Sequence, residues 1–355
     1  MYHCALAAAI FVSCSAAMAA PQAPISRVAI GSCARENRPQ PIWKAVIDSR
    51  PQLFLFIGDN IYADTDRLAV MKQKYGLLAG QPGFQRLRET CPILATWDDH
   101  DYGRNNAGKE YPLKAASQKA LLEFFREPPD SPRWKQAGVY TARRFGPAGR
   151  RLQVILLDTR THRSALYAKH TRKDAWGMPR APYAPHPDPG AGVLGEAQWQ
   201  WLARVLKEPA QIRIIASSIQ LIPAEHGHEK WANFPRERDR FFRLIESTRA
   251  GGVILVSGDR HLAEISRFDD GPYPVLELTT SGLNAGGGGR DDEPNGHRIG
   301  RNYRGTNFGT IEVDWEQADP GIALRAHDER GKPVLEHRLT LSRLQPAKSD
   351  QLESR

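Results

Sequence analysis

The sequence predicts an α/β protein with a strand-end functional site, and three observations carry that reading. First, residues 28–30, 53–57, 93–96, 152–157, 212–216 and 253–256 are apolar runs that are mostly continuous rather than alternating. Continuous runs fit strands covered on both faces. Second, helical segments lie between them. Residues 41–50 begin on a proline, where the missing N–H costs nothing, and residues 113–126 carry apolar side chains at helical spacing and stop before Pro128-Pro129. Residues 195–207 and 235–249 have the same helical pattern. Third, the texture changes after Phe268: residues 275–279, 310–315, 321–327 and 334–341 are shorter, more alternating strands. They predict a second, mixed or antiparallel sheet packed on the first.

The 355 residues exceed a typical domain, yet large α/β sandwiches reach this size as one unit. A hydrophobic fraction of 41% and an aromatic fraction of 8% suit a sizeable core. Mean hydropathy of -0.51 argues against a multi-span membrane protein. The net charge of +9 attracts anions in general. Lys and Arg are scattered, without a long basic run, which argues against a dedicated nucleic-acid module.

Residues 1–20 resemble an export signal that ends at Ala17-Met18-Ala19, although no Lys or Arg precedes the apolar stretch. The stretch is short for a transmembrane helix. Lipid attachment at Cys14 is the alternative to cleavage, and cleavage is preferred because the residues before Cys14 fit a lipidation signal poorly. The organisation expected is therefore a signal peptide at 1–20, one domain at 21–341 and a polar, frayed tail at 342–355. Cleavage leaves Cys33 and Cys91, which are expected to remain unpaired. Two loops are long: 169–192, rich in Pro, His and Gly, and 284–304, with Gly286-Gly287-Gly288-Gly289. They are either lids over a site or variable surface loops.

Five polar clusters follow apolar runs: Gly31-Ser32-Cys33, Gly58-Asp59-Asn60-Ile61-Tyr62, Trp97-Asp98-Asp99-His100-Asp101, Ser217-Ser218-Ile219-Gln220 and Ser257-Gly258-Asp259-Arg260-His261. In open sheets ligands bind outside the carboxyl ends of the strands, so the clusters are expected to converge. Their carboxylates, imidazoles, thiol and phenol make a metal site the first expectation. Three carboxylates packed at 98–101 repel unless a cation sits among them. Asp59 and Tyr62 share one turn, where a carboxylate and a phenolate meet one cation. A tyrosinate is a hard anionic ligand that favours iron(III). Asp259 and His261, alternate residues of an extended segment, are expected to reach a common metal while Arg260 points elsewhere. Each residue alone also has an ordinary reading, as a cap or a packing group.

Taken in order, Gly-Ser-Cys, Gly-Asp-Asn-Ile-Tyr, Trp-Asp-Asp-His-Asp and Ser-Gly-Asp-Arg-His resemble the PhoD-like alkaline phosphatase/phosphodiesterase family, within the calcineurin-like metallophosphoesterases. The resemblance runs from about Arg27 to about Trp315, with lesser family segments at Leu157-Asp158-Thr159-Arg160, 231–235 and Asn307-Phe308-Gly309. It implies a four-layer αββα sandwich with two mixed central sheets and a polynuclear site of iron(III) and calcium, other divalent metals being possible alternatives. Carried over by residue, it implies Cys33, Asp59, Tyr62, Asp99, Asp259 and His261 as metal ligands, with Asp59 bridging two metals and Asp98 as a further ligand. His100 matches the histidine that contacts the scissile phosphate. Where the superfamily has a metal-binding histidine, this chain offers Ser217, Ser218 and Gln220, and an oxygen donor such as Gln220 suits calcium. Arg35, Arg104, Arg160 and Arg260 are candidates for a phosphate clamp, each weighed against an ordinary ion pair.

The activity so implied is exported, metal-dependent hydrolysis of small-molecule or polymeric phosphate esters, with metal-activated hydroxide attacking phosphorus in line. The location is periplasmic or secreted. The rivals are a non-haem iron oxidoreductase and an anion-binding protein without turnover. Two other signals are set aside. Residues 190–195 match G-x-G-x-x-G, but the proline-rich lead-in at 182–189 cannot be the buried strand a dinucleotide fold needs. His226 and His228 alternate in a polar loop, where a surface or substrate-contacting role is expected. Trp199 and Trp201 are assigned to helix packing.

Overall fold

The structure is a computed structural model that describes residues 23–169, 172–175, 177 and 180–347. The expected export segment and Cys14 lie outside the described residues. Two six-stranded mixed sheets form the centre. The first contains β1 (Arg27–Gly31), β2 (Leu53–Ile57) and β3 (Ile93–Thr96), mutually parallel. The second contains β4 (Thr141–Phe145), β5 (Leu152–Leu156), β6 (Ile212–Ser217), β7 (Val253–Ser257), β8 (Ala263–Phe268) and β9 (Val275–Thr280), in the order β4-β5-β6-β7-β9-β8. Its inner strands β5, β6, β7 and β9 are parallel, and β4 and β8 are antiparallel edges.

The C-terminal strands correct one expectation. They do not build a separate sheet. β10 (Asn307–Asp314) pairs antiparallel with β1, and β11 (Gly321–Asp328) and β12 (Pro333–Thr340) extend the first sheet outward. β9 joins the second sheet instead. Alternation suits a sheet extended by hairpins, but it says nothing about which earlier strand the first hairpin strand will pair with. The chain end is also longer than expected: Leu344 is fully buried, and its carbonyl accepts the Gly252 N–H at 2.6 Å. Ser342 binds Asp319 through both its N–H and its hydroxyl, so order continues past residue 341.

The strand residues divide as the pleat requires. Leu53, Leu55 and Ile57 enter the core between the sheets, whereas Phe54 and Phe56 enter a second core on the outer face of the first sheet. That outer core is capped by α1 (Ile42–Asp48), α2 (Leu68–Ala79), α3 (Pro82–Thr90) and, beyond the one-turn α4 (Asp99–Tyr102), α5 (Lys114–Phe124). On the second sheet, Gln153 and Arg213 donate to the carbonyls of Val205 and Leu206, the last residues of α6 (Glu196–Leu206). α7 (Pro235–Thr248) buries Phe241, Phe242 and Ile245 beside it. The result is the four-layer order helix, sheet, sheet, helix. Sequence patterning missed α2 and α3; α2 buries Met71, Tyr75 and Leu78, but apolar Leu68, Val70 and Leu77 on its other sides blur the helical period.

Two bonds tie the sheets at one end. The Ser32 hydroxyl donates to the Thr280 carbonyl at 3.0 Å, and the Thr96 hydroxyl donates to the Leu157 carbonyl at 2.8 Å. Both lie at the carboxyl ends of parallel strands, where the loops with the polar clusters emerge. Among the described residues no helix is long and apolar enough to cross a membrane. Cys33 and Cys91 are buried and unpaired.

Phe56 is fully buried against Trp43, Phe54, Phe84 and Phe125, with ring centroids 5.8–6.2 Å away. Phe56→Ala is expected to destabilise the fold by about 3–5 kcal/mol, read from the urea midpoint at unchanged slope.

Candidate metal centre

The turns after β1, β2, β3 and β7 bring the expected residues together. Donor atoms form three groups within 4.8 Å: Cys33, Asp59 and His261; Asp59, Asp99 and His100; Asp98, Asp99 and Asp259. Asp59 and Asp99 each belong to two groups, so the three are continuous. The Tyr62 hydroxyl lies 2.9 Å from His261 Nε2, which puts the phenol at the Cys33 end. Cys33, Asp59, Asp259 and His261 all have positive φ, between 50° and 65°. Left-handed backbone is strained for side chains other than Gly, and here it turns the donors inward. It also corrects the extended-segment expectation: Asp259 and His261 fall in different groups, and Arg260 lines the same cleft.

Burial dominates the electrostatics of the cluster. Asp59 is held well above the usual carboxylate range by burial, with His100 opposing and Cys33 and Asp99 adding to the rise. Burial, then Asp99 and Glu229, push Asp259 up to about 7. Burial opposes ionisation of Asp99 too, but His100, Arg160 and the Asn106 N–H outweigh it and hold Asp99 well below the usual range. The Cys33 thiol is pushed up to about 11, chiefly by burial. Burial and the nearby His100 lower His261 to about 4. Asp59 Oδ1 and Asp98 Oδ2 are buried without a hydrogen-bond partner. Buried carboxylate oxygens without donors fit cations, and this donor set is one that could hold metal.

His100 is oriented by a residue the sequence reading missed. Its Nδ1 lies 2.8 Å from both carboxylate oxygens of Asp64, which leaves Nε2 to address the cleft. Burial disfavours the imidazolium, but Asp99, Asp59 and Asp64 together hold His100 well above the ordinary imidazole value. The Tyr62 ring lies against the His100 ring at 4.2 Å. The positive φ of Asp64, 41°, places its carboxylate there and left no signal in the sequence.

Several expected residues do something else. Asp101, the third carboxylate of its cluster, faces away from the donors. It accepts the N–H of Asp98 at 2.7 Å and of Asn60 at 3.3 Å, fixing both turns. Gln220 does not line the cleft; its amide donates to Glu264 at 2.6 Å and Thr279 at 2.9 Å in a buried network. Ser218 donates to Asp98 instead and so supports that carboxylate. Among the clamp candidates, Arg35 lies over the Tyr62 ring at 4.2 Å and Arg104 is paired with Asp66. Arg160 is fully buried and also absent from the cleft. It binds Asp98 through Nε, at 2.7 Å, and Nη2, and binds Glu229 through Nη1 at 2.8 Å. Only Arg260 of the four lines the cleft, with Nη2 paired to Glu293 at 2.6 Å and Nε buried without a partner.

The cleft measures ≈ 490 Å³. Both long loops border it: Asp174, Arg180 and Tyr183 from one, Gly288 and Gly289 from the other. His228, which is exposed, lines it as well, as do Asn105 and Asn106, which sequence patterning did not single out. A Cβ on Gly288 would meet the Arg260 carbonyl oxygen at 2.4 Å, so this loop passes the donor turn at a distance that only glycine permits. The 190–195 segment has no strand before it and leads into α6, as its proline-rich approach required.

Removing Arg160 leaves buried Asp98 without its ion-pair partner and leaves Glu229 to Arg163 alone. Arg160→Met is expected to cost about 3–5 kcal/mol of stability. Arg160→Lys should recover little of it, because an ammonium lacks the fork that spans both partners. Urea denaturation of both variants checks this.

Comparison with known proteins agrees with this architecture. Alkaline phosphatase D of Bacillus subtilis (strain 168) is 24% identical over 227 residues, 56% of this chain and 37% of that protein. The chain thus matches little more than a third of that relative's length. A solved structure of PhoD superposes with a TM-score of 0.67 at 21% identity, covering 89% of this chain and 73% of the other. GAP50, the anchor in the inner membrane complex of Plasmodium, gives 0.55 at 14% identity, over 92% and 90% of the two chains. At these identities the structural likeness speaks for the fold alone. The profile of the PhoD-like phosphatases matches residues 28–337, nearly all of the described chain, and the chain belongs to that family.

Proposed function

We propose that this protein is an exported, metal-dependent hydrolase of phosphate esters. The observation that carries the reading is the sharing of Asp59 and Asp99 between donor groups: a carboxylate common to two groups is what a polynuclear centre requires. Iron(III) suits the end with Cys33, Asp59, Tyr62 and His261, where thiolate and phenolate are available. Calcium suits the all-carboxylate end with Asp98, Asp99 and Asp259. When bound, the metal ions supply Lewis-acid charge to the phosphoryl oxygens and lower the pKa of water.

The remaining work falls to the chain itself. Asp64 holds the His100 imidazole in one orientation, so that Nε2 meets the phosphoryl group or the departing oxygen and donates a proton to it. The Arg260 guanidinium, whose Nε has no protein partner, grips a phosphoryl oxygen from the cleft wall. Arg160 acts through Asp98, holding it in place from behind. Residues 1–20, with their export-signal pattern, support a periplasmic or secreted location.

Metal analysis of protein purified without chelators is expected to find iron and calcium in near-stoichiometric amounts. Asp59→Asn should lose both metal and hydrolysis of aryl phosphate esters. His100→Ala should keep its metal and lose about 10²–10⁴-fold in kcat, with Asp64→Asn between it and the parent. Full turnover in both Asp59→Asn and His100→Ala, or no metal after reconstitution with iron and calcium, would overturn the proposal.

A further inference from the structure

A second cavity of ≈ 320 Å³ opens beside the cleft, and Tyr183 lines both. Its wall contains His226 and Lys230, with Lys169 at the edge. His226 is 5% exposed and Lys230 is 3% exposed, an unusual depth for either residue type. Each has one hydrogen-bond partner, and each keeps unmet polar capacity. The His228 N–H donates to His226 Nδ1 at 3.2 Å, which fixes the proton of the neutral ring on Nε2. That Nε2–H is buried with no acceptor. The Lys230 ammonium donates to the His228 carbonyl at 3.1 Å, and among the described residues no carboxylate lies within ion-pair distance of it.

Burial, Arg260 and Lys230 keep His226 far below the ordinary imidazole value, so it is a neutral donor at physiological pH. Burial and Arg260, opposed by the more distant carboxylates of Glu229 and Glu293, bring Lys230 down to about 8, which leaves it mostly charged at neutral pH. The one acid on the wall, Glu225, is exposed and accepts the Gly296 N–H at 2.7 Å. A buried N–H donor and a buried unpaired cation are both costly, and an oxyanion between them satisfies both. The segment 226–230 also connects the two sites, since His228 and Glu229 line the cleft while His226 and Lys230 line the side cavity.

The geometry points to the side cavity as a subsite for an oxyanion, carboxylate or phosphate, carried on the alcohol part of the ester whose phosphoryl group sits in the cleft. The assignment to the alcohol part rests on the phosphoesterase reading above; the anion site itself does not.

Two measurements on the metal-loaded protein test it. In the first, with diamagnetic gallium(III) in place of iron(III), the His226 imidazole signals, assigned by their loss in His226→Gln, are followed by NMR as inorganic phosphate is added. A saturable shift that Lys230→Met removes is expected, and unmoved signals overturn the anion site whatever the activity. In the second, alkyl monophosphates of two to six carbons are compared with the same chains carrying a terminal phosphate or a terminal carboxylate. At one chain length the doubly anionic ester should have a KM about tenfold lower, and Lys230→Met and His226→Gln should each bring the ratio near one. Which of the two termini gains more identifies the oxyanion. Equal KM at every length overturns the substrate assignment. If no ester at all is hydrolysed, the phosphoesterase reading and the substrate assignment fall together, and the imidazole signals alone decide the anion site.

Discussion

The structure is organised around buried negative charge. Asp59, Asp98, Asp99 and Asp101 are all nearly inaccessible, and Asp259 and Glu229 lie beside them. Ionised carboxylates at this density repel one another and lose hydration. The fold answers with a small number of well-placed positive groups. Arg160, from the loop after β5, reaches Asp98 after β3 and Glu229 in the loop after β6. Arg163, three residues on, closes on the same Glu229 at 2.8 Å. A single ionic chain therefore holds three loops from two sheets in register. Asp101 is handled differently, by backbone N–H donors, and is pushed up to about 7, mainly by its burial. What these groups do not neutralise is the set Asp59, Asp98 Oδ2 and Asp259, the part of the cluster that faces the remaining donors.

Strand direction explains why the charge collects there. The parallel strands of both sheets end on one rim, and hydrogen bonds between Ser32 and Thr280 and between Thr96 and Leu157 pin the rims together. Loops that leave such a rim must turn sharply. Gly58, with φ 109°, has no room for a side chain, because a Cβ there would meet the Asp98 Cβ at 2.6 Å. The left-handed residues at 33, 59, 259 and 261 continue the same tight turning. Backbone strain of this sort persists where the surroundings over-determine it. Here the surroundings are the two sheet ends, so precision at the donors is inherited from the rigid strands behind them.

Much of this was legible in the chain. The buried parallel strands are simple apolar runs, and their boundaries match the structure to within a residue or two. The clusters that follow them converge because strand-end geometry leaves them little choice. What stayed hidden depends on three-dimensional partners. Nothing local distinguishes Asp64, which orients His100, from the neighbouring Asp66, which pairs with Arg104. Nothing local says that Arg160 turns inward to Asp98 while Arg260 turns toward the cleft. Gln220 reads as a donor from its place after β6, but the side chain follows Glu264 and Thr279 into the sheet interior. The second sheet was drawn from the wrong strands for a similar reason: alternation marks a half-exposed strand, while partner choice across 285 residues, as between Arg27 and Glu312, is a property of the packed whole.

The cleft and its side cavity then form an electrostatic pair of opposite sign. Carboxylates crowd the floor, which calls for cations. Arg260 and Arg180 on the walls, and Lys230 behind them, call for anions. A protein that needed only to hold metal has no use for the second set, since like charges near a cation centre weaken metal binding. A protein that needed only to bind an anion has no use for the first, because buried carboxylates repel it. Under the proposed phosphoesterase reading the two sets are compatible, because the ligand carries phosphoryl charge to the floor and further negative charge to the walls. Segment 226–230 lies between the two cavities: Glu229, held by Arg160 and Arg163, lines the cleft with His228, whereas His226 and Lys230 line the side cavity. The ionic chain that holds Asp98 thus also anchors, through Glu229, the segment that borders both cavities.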